Sequence, residues 1–273
     1  MDATKKLAII GAGNIGLAIA GGLLRAKLFP AENIILTRRK LDRISDFAEK
    51  GFILEKDNVT AVKQSDIIIV AVEPQQVNPV LEEIKNSLDP KKHSLISVVT
   101  GITIKQIHDR VGQGIDVIRA MPNTAIAINE SMTCLASANG ESKAVKHALE
   151  IFSTVGKAMS IDEEQMSAAT ALGACGIAFF LRMIRAASQG GIEIGFHSDK
   201  ALQIAAQTAK GAATLLLVND QHPEYEIDRV TTPRGVTISG LNQMEHEGLS
   251  SAIIKGIVTS ATKAGHLYSA EDK

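Results

Sequence analysis

Apolar positions fall into two rhythms along the chain. Short runs rich in β-branched residues occur at 7–10, 33–37, 67–72, 94–99 and 117–120. Between them, at 14–27, 41–50, 76–87 and 104–110, apolar residues recur every three or four positions. The first rhythm predicts strands, and the second predicts helices that lie on a sheet. Strands that are apolar on both faces and separated by helical crossovers pair in parallel, because no tight turn can join parallel neighbours. An α/β, doubly wound, mostly parallel sheet is expected.

Further along, 132–137 and 157–161 read as strands around a helix at 142–154, and after Asp162 the β-branched runs mostly cease. The Ala-rich segments 163–190 and 200–218 are apolar on most faces, which a helix tolerates only when protein surrounds it, its own or a partner's. The expected organisation is therefore a sheet domain over 1–162 and an all-helical oligomerisation domain over 163–273. Two more helices are predicted at 237–247 and 250–263. The stretch 219–233 holds Asp220, His222, Pro223 and Pro233 and reads as a long connection.

Charge narrows the partners: 29 Lys and Arg stand against 30 acids, so no broad field favours nucleic acid or an anionic membrane. Aromatics make up only 3% of the chain, too few for base-stacking platforms. No uninterrupted apolar run nears the roughly 20 residues of a membrane span, and the apolar stretch before Gly11 is too short for a signal-peptide core. A soluble cytoplasmic protein is expected. Cys134 and Cys175 are the only cysteines, which fits a reducing compartment. The seven histidines are scattered without metal-ligand spacing, so no metal is assigned.

Gly11-Ala12-Gly13-Asn14-Ile15-Gly16 follows the first strand and opens the first helix, the setting in which a G-x-G-x-x-G run binds a dinucleotide. Gly11 permits the tight turn, Gly13 leaves room for the pyrophosphate, and Gly16 lets helix and strand approach, while the helix N-terminus offers N–H groups to the phosphates. The sheet is thus Rossmann-like. Sites that prefer NAD usually carry an acid at the end of the second strand. Here Thr37-Arg38-Arg39-Lys40 stands instead, and guanidinium groups suit a 2'-phosphate. NADPH is the expected cofactor, with NADH as the alternative.

The segment Val230-Thr231-Thr232-Pro233-Arg234-Gly235-Val236-Thr237-Ile238-Ser239-Gly240-Leu241, followed by Met244-Glu245 and Gly248, resembles the C-terminal signature of pyrroline-5-carboxylate reductases. Asp57-Asn58, Ala71-Val72-Glu73-Pro74-Gln75 and Arg119-Ala120-Met121-Pro122-Asn123-Thr124 agree in the same order, so the resemblance spans nearly the whole chain. It implies a helical domain that interlocks with its twin in a homodimer, and in some members a ring of dimers, with pyrroline-5-carboxylate reduced to proline. Thr237 would bond the substrate near its ring nitrogen, and backbone N–H groups of Gly235, Val236 and Thr237 would hold its carboxylate. Asn58, Ala71, Val72 and Pro74 would line the adenosine side of the cofactor, and Met121, Pro122 and Asn123 its nicotinamide side. Read from the residues alone, a threonine at 237 is more often a helix N-cap, and the two roles are not exclusive.

Three departures stand out. Gly173-Ala174-Cys175-Gly176-Ile177-Ala178 replaces a family Ser-Gly-Ser-Gly-Pro-Ala, Glu73 replaces a lysine, and Arg234 replaces a glycine. Two other readings stay open. One is a β-hydroxyacid dehydrogenase-like enzyme, although 173–182 lacks the lysine such enzymes carry and holds only the permanently charged Arg182. The other is a sensor that binds NADP or proline without turnover, motivated by the altered 173–178 segment.

Overall fold

The structure, a computed structural model, describes residues 5–140 and 142–265. His266 thus lies outside the described residues. The chain divides into two compact units, Met1–Cys175 with Ser260–Lys273, and Gly176–Thr259.

The first unit is an eight-stranded sheet: β1 (Leu7–Ile10), β2 (Ile34–Thr37), β3 (Ile53–Glu55), β4 (Ile67–Val70), β5 (Ser94–Ser97), β6 (Asp116–Met121), β7 (Ser131–Ser137) and β8 (Gly156–Ser160). Their spatial order is β3-β2-β1-β4-β5-β6-β7-β8. Pairing is parallel except between β6 and β7, so the sheet is mostly parallel, as its apolar strands imply. Its helices are α1 (Asn14–Arg25), α2 (Ser45–Glu49), α3 (Asn58–Lys63), α4 (Pro74–Ile84), α5 (Ile104–Val111), α6 (Lys143–Ser153) and the short α7 (Met166–Ala169).

Every residue of β1, β2 and β4 is buried, and the sheet divides two main apolar clusters. One gathers Leu7, Ile9, Ile19, Leu23, Ile69 and Phe152, and the other Ile68, Val70, Val77, Leu81, Ile107 and Val117. Alternation along β4 sends Ile69 to one cluster and Ile68 and Val70 to the other, the period of two expected of a strand. Each such side chain contributes roughly 1.5–3 kcal/mol on burial.

Polar groups inside this unit are paired. Arg119 is buried in β6 and meets Glu163 Oε1 at 3.1 Å, and the same oxygen accepts the N–H of Ile104 at 2.6 Å. One carboxylate therefore ties the start of α5 to β6 and to the segment that follows β8. Burial lowers the Arg119 pKa, and Glu163 opposes that shift. His93 is buried too: its Nδ1 accepts the Asp89 N–H at 2.8 Å, which leaves Nε2 to donate to the Ser65 carbonyl at 3.1 Å. That tautomer is neutral, and burial, aided by Lys92, pushes the ring below its ordinary pKa.

The second unit begins with α8 (Gly176–Glu193), continues through α9 (Ser198–Asn219), α10 (Pro223–Val230) and α11 (Val236–His246), and contains most of α12 (Leu249–Gly265). Helices α8 and α9 approach closely at Gly191, where an added Cβ would lie 3.1 Å from that of Ala201. Few side chains here are buried, and Phe180, Leu181, Leu202, Leu217 and Val218 lie exposed.

Several expectations need correction. The connection expected over 219–233 contains α10: Pro223 occupies its first turn and the His222 ring accepts the Glu224 N–H, so the proline starts a helix where a loop was expected. Strand β3 and helix α3 had no counterpart in the hydrophobic pattern, because three half-buried residues and six helical ones are too short to display a period. Two helical runs, Glu163–Glu193 and Ser198–Asn219, are long and apolar enough by length and composition to cross a bilayer, at mean hydropathies of 1.6 and 1.2. Polar residues interrupt both runs, so neither contains an unbroken apolar stretch of that length.

Candidate functional site

In an open parallel sheet, ligands bind beyond the carboxyl ends of the strands where the strand order reverses. Here that point lies between β1 and β4, whose ends Ile10 and Val70 are paired in register, with Thr37 of β2 opposite Ile10 on the other side. A cleft of about 850 Å3 opens there. Gly11, Ala12, Gly13, Thr37, Arg38, Arg39, Asn58, Ala71 and Val72, all expected at the cofactor, line it.

The glycines divide the work. Gly11 has φ +96° and sits so close to Ala71 that a Cβ would lie 2.7 Å from its carbonyl oxygen. A Cβ on Gly16 would come 2.5 Å from the Gly11 carbonyl oxygen, so α1 reaches the strand only because Gly16 has no side chain. Gly13 differs: a Cβ there meets nothing within 4 Å. The protein leaves that volume open at the N-cap of α1, where no side chain caps the helix and no acid enters the first turn. Such an end presents N–H groups and partial positive charge to an anion.

Polar contacts hold the loop in place. The Thr37 hydroxyl accepts the Gly11 N–H at 3.3 Å and donates to Asn58 Oδ1 at 2.7 Å, and Asn58 Nδ2 donates to Glu83 at 2.9 Å. The Arg38 guanidinium donates to the Ala12 carbonyl at 2.8 Å, bringing its charge beside the glycine turn. Lys40, Arg43 and Lys56 join Arg38 and Arg39 around the same cleft, five cations against the carboxylates of Glu73 and Glu83. Sequence reasoning named neither Arg43 nor Lys56, which come from separate segments. Glu55, the acid at the end of β3, is turned inward on its own loop and accepts the N–H groups of Lys56 and Asp57.

Other expected residues lie elsewhere. Asn14, Ile15 and Gly16 form the first turn of α1, and Pro74 starts α4. Met121 closes β6, at the same edge of the sheet as Ile10 and Val70, with Pro122 and Asn123 directly after it. Asn123 accepts the Ala125 N–H at 3.0 Å and donates from Nδ2 to the Gly173 carbonyl at 3.2 Å.

Gly235, Val236 and Thr237 belong to the second unit, described by itself. The Gly235 N–H donates to the Thr232 carbonyl at 2.8 Å and closes a turn over Pro233 and Arg234. Arg234 takes φ +61°, a left-handed conformation in which glycine is the unstrained residue. A Cβ on Gly235 would sit 2.5 Å from the Thr232 hydroxyl, so this turn admits no side chain there. Gly235 is the N-cap of α11, which makes Thr237 the second helical residue and corrects the N-cap reading of it. Val236 is 90% exposed and Thr237 is exposed beside it.

The sheet, its switch-point cleft and the open glycine turn define a Rossmann-type dinucleotide-binding protein. Comparison with known proteins narrows this. Residues 163–267 match the family described as pyrroline-5-carboxylate reductase dimerisation, and residues 6–101 the one described as NADP oxidoreductase, coenzyme F420-dependent. Pyrroline-5-carboxylate reductase 2 of Dictyostelium discoideum is 49% identical, over 98% of this chain and 95% of its own length. Pyrroline-5-carboxylate reductase 1 of the same organism is 53% identical over 96% of this chain, which spans only 50% of that longer protein. The crystal structure of Plasmodium falciparum pyrroline carboxylate reductase with NADP bound superposes with a TM-score of 0.89 at 26% identity, covering 98% of this chain and 99% of that one. The chain belongs to the pyrroline-5-carboxylate reductase family.

Proposed function

We propose that this chain reduces the C=N bond of 1-pyrroline-5-carboxylate to give L-proline, the last step of proline biosynthesis, with NADPH preferred over NADH. The observation that carries the reading is the cleft at the β1–β4 switch point, open above Gly13 and flanked by five cations, in a chain that matches a reductase of this name over nearly its full length. These residues fit the dinucleotide: the uncapped α1 suits its pyrophosphate, and Arg38, Arg39, Arg43 and Lys56 suit a 2'-phosphate. When bound, the reduced nicotinamide supplies the hydride.

The protein's share of the chemistry is small for a physical reason. A protonated cyclic imine already carries the electrophilic charge, so catalysis needs a fixed approach and a neutral partner for the ring nitrogen more than it needs a strong acid. Thr237 is the catalytic residue in this reading, its hydroxyl holding the nitrogen's proton, while the N–H groups of Gly235, Val236 and Thr237 hold the carboxylate at the start of α11. Met121, Pro122 and Asn123 border the nicotinamide, and Asn58, Ala71, Val72 and Pro74 the adenosine. The helical domain, taken to begin at residue 163, forms a homodimer, in the cytoplasm. The apolar side chains exposed on α8 and α9, in the segment matched to the dimerisation family, support that assembly.

The test is NADPH and NADH oxidation by the purified protein, followed at the nicotinamide absorbance, with pyrroline-5-carboxylate. Substrate-dependent oxidation that yields proline is expected, and tight NADPH binding without consumption would return the sensor reading to the front. Thr237→Ala should lower kcat far more than NADPH affinity. Replacing Arg38 and Arg39 together by Ala should weaken NADPH by roughly one to two orders of magnitude, the scale of one or two charge-assisted bonds, and NADH much less, through the lost Arg38 bond to the Ala12 carbonyl alone. Equal losses for the two cofactors would end the phosphate-clamp idea.

A further inference from the structure

Asn123 stands where a nicotinamide contact is proposed, yet both ends of its side chain are engaged within the protein. Its Oδ1 caps the short helical turn Thr124–Ile128 through the Ala125 N–H at 3.0 Å, and its Nδ2 donates to the Gly173 carbonyl at 3.2 Å. Its own N–H donates to Ser131 Oγ at 3.1 Å, and that hydroxyl lies 3.2 Å from the hydroxyl of Thr133. Ser131 and Thr133 are buried, so the base of this network is anchored in β7.

What Asn123 grips is unusual. Gly173 lies within a π-helical turn, Thr170–Cys175. A π-turn accommodates one extra residue and shifts the backbone hydrogen-bond register, which an α-helix does only when something compensates. In an uninterrupted α-helix the Gly173 carbonyl would accept the N–H of residue 177. Here that carbonyl also receives the Asn123 amide, a donor from outside the helix. A second contact works in the same direction: Ala174 of the turn packs against the cluster formed by Met121, Ala136 and Met166. The π-turn is therefore held to the segment after β6 by the Asn123 hydrogen bond and to the small cluster that contains Met121 by an apolar contact. Relaxing the turn to α-helix would change the phase of the chain beyond it by about 100°, one residue's rotation.

We infer that Asn123 is a positioning residue: by holding the Gly173 carbonyl out of the α-helical register it fixes the π-turn against Met121 and so sets the geometry of the nicotinamide side of the site. The last part rests on the reductase reading above. Asn123 works through the backbone of 170–175, with no contact to the substrate required.

Asn123→Asp tests this, because it preserves volume and the oxygen that caps Ala125 while removing the donor to Gly173. Amide hydrogen exchange should accelerate across 170–176 and stay unchanged in β1 and β4. In the reductase assay kcat should fall by roughly 10- to 100-fold, the scale of a small misplacement of reacting groups, and by clearly more than NADPH affinity does. Ile177→Pro removes the N–H that would compete for the Gly173 carbonyl. Added to Asn123→Asp, it should recover part of the lost kcat. Unchanged exchange at 170–176, parallel loss of kcat and NADPH affinity, or no recovery in the double variant would each overturn the inference. If exchange loosens as expected but the unmodified protein does not reduce pyrroline-5-carboxylate, the positioning stands and the reductase reading fails.

Discussion

The two units of this chain solve the problem of apolar surface in opposite ways. In the first, β1, β2 and β4 are wholly buried and helices cover both faces of the sheet, so the apolar side chains find partners within the same unit. In the second, α8 and α9 expose Phe180, Leu181, Leu202, Leu217 and Val218, large apolar side chains left without cover in the single chain. A dinucleotide site can be assembled from the first unit's own residues. The second leaves its apolar side chains open, within the segment that matches a dimerisation family.

The largest expected effect therefore falls on the second unit. Replacing Phe180 and Leu217, 59% and 80% exposed, by Glu should leave the folded sheet intact but place unpaired carboxylates in the interface, at a cost of several kcal/mol. Sedimentation should show monomers at micromolar concentration, and unchanged oligomers would mean that these faces serve another purpose.

Within the first unit, two glycines three positions apart should respond differently. Gly16→Ala forces a Cβ toward the Gly11 carbonyl and should cost about 1–3 kcal/mol of stability together with dinucleotide binding. Gly13→Ala meets no protein atom, so thermal unfolding should barely change while NADPH binding is lost. Similar destabilisation by both would remove the distinction between a packing glycine and a ligand glycine.

A smaller effect is expected from pH. Burial and Lys92 lower the His93 pKa in the folded chain, so the stability contributed by its neutral ring is fully present above the unfolded value of about 6.5 and is lost as pH falls below it. His147, lowered chiefly by burial, acts in the same direction. Urea midpoints should drop between pH 7.5 and 5.5, and His93→Gln should flatten that slope. An unchanged slope would assign the effect to other groups.

The smallest effect returns to the second unit. Arg234→Gly relieves a left-handed residue, worth about 1–2 kcal/mol, against roughly 0.5–1 kcal/mol of added chain entropy in the unfolded state. A net gain of up to about 1.5 kcal/mol is expected by calorimetry, and a loss would show that the Arg234 side chain contributes more than its backbone strain costs.

Legibility in the sequence followed from how local each feature is. The glycine turn was readable because its requirements lie within six consecutive residues and each acts on its own backbone. Helix α10 is readable only in principle, since a proline that follows a capping residue starts a helix as readily as it ends one, and the polar residues around His222-Pro223 signal a turn equally well. Thr237 was weighed as a cap, and only the backbone shows that Gly235 holds that position.

By itself the sequence determined the period of each long element, the parallel sheet, the dinucleotide turn and the family, because periodicity and motif spacing are properties of neighbours along the chain. Tertiary structure alone decided which cations share the cleft, since Arg38, Arg43 and Lys56 approach one another only when β2, β3 and the segments after them are aligned. It also decided the link from Asn123 to Gly173, fifty residues apart. No local pattern encodes such a contact, because a side-chain amide meets a distant backbone carbonyl only after the sheet and the π-turn have brought both to the same place.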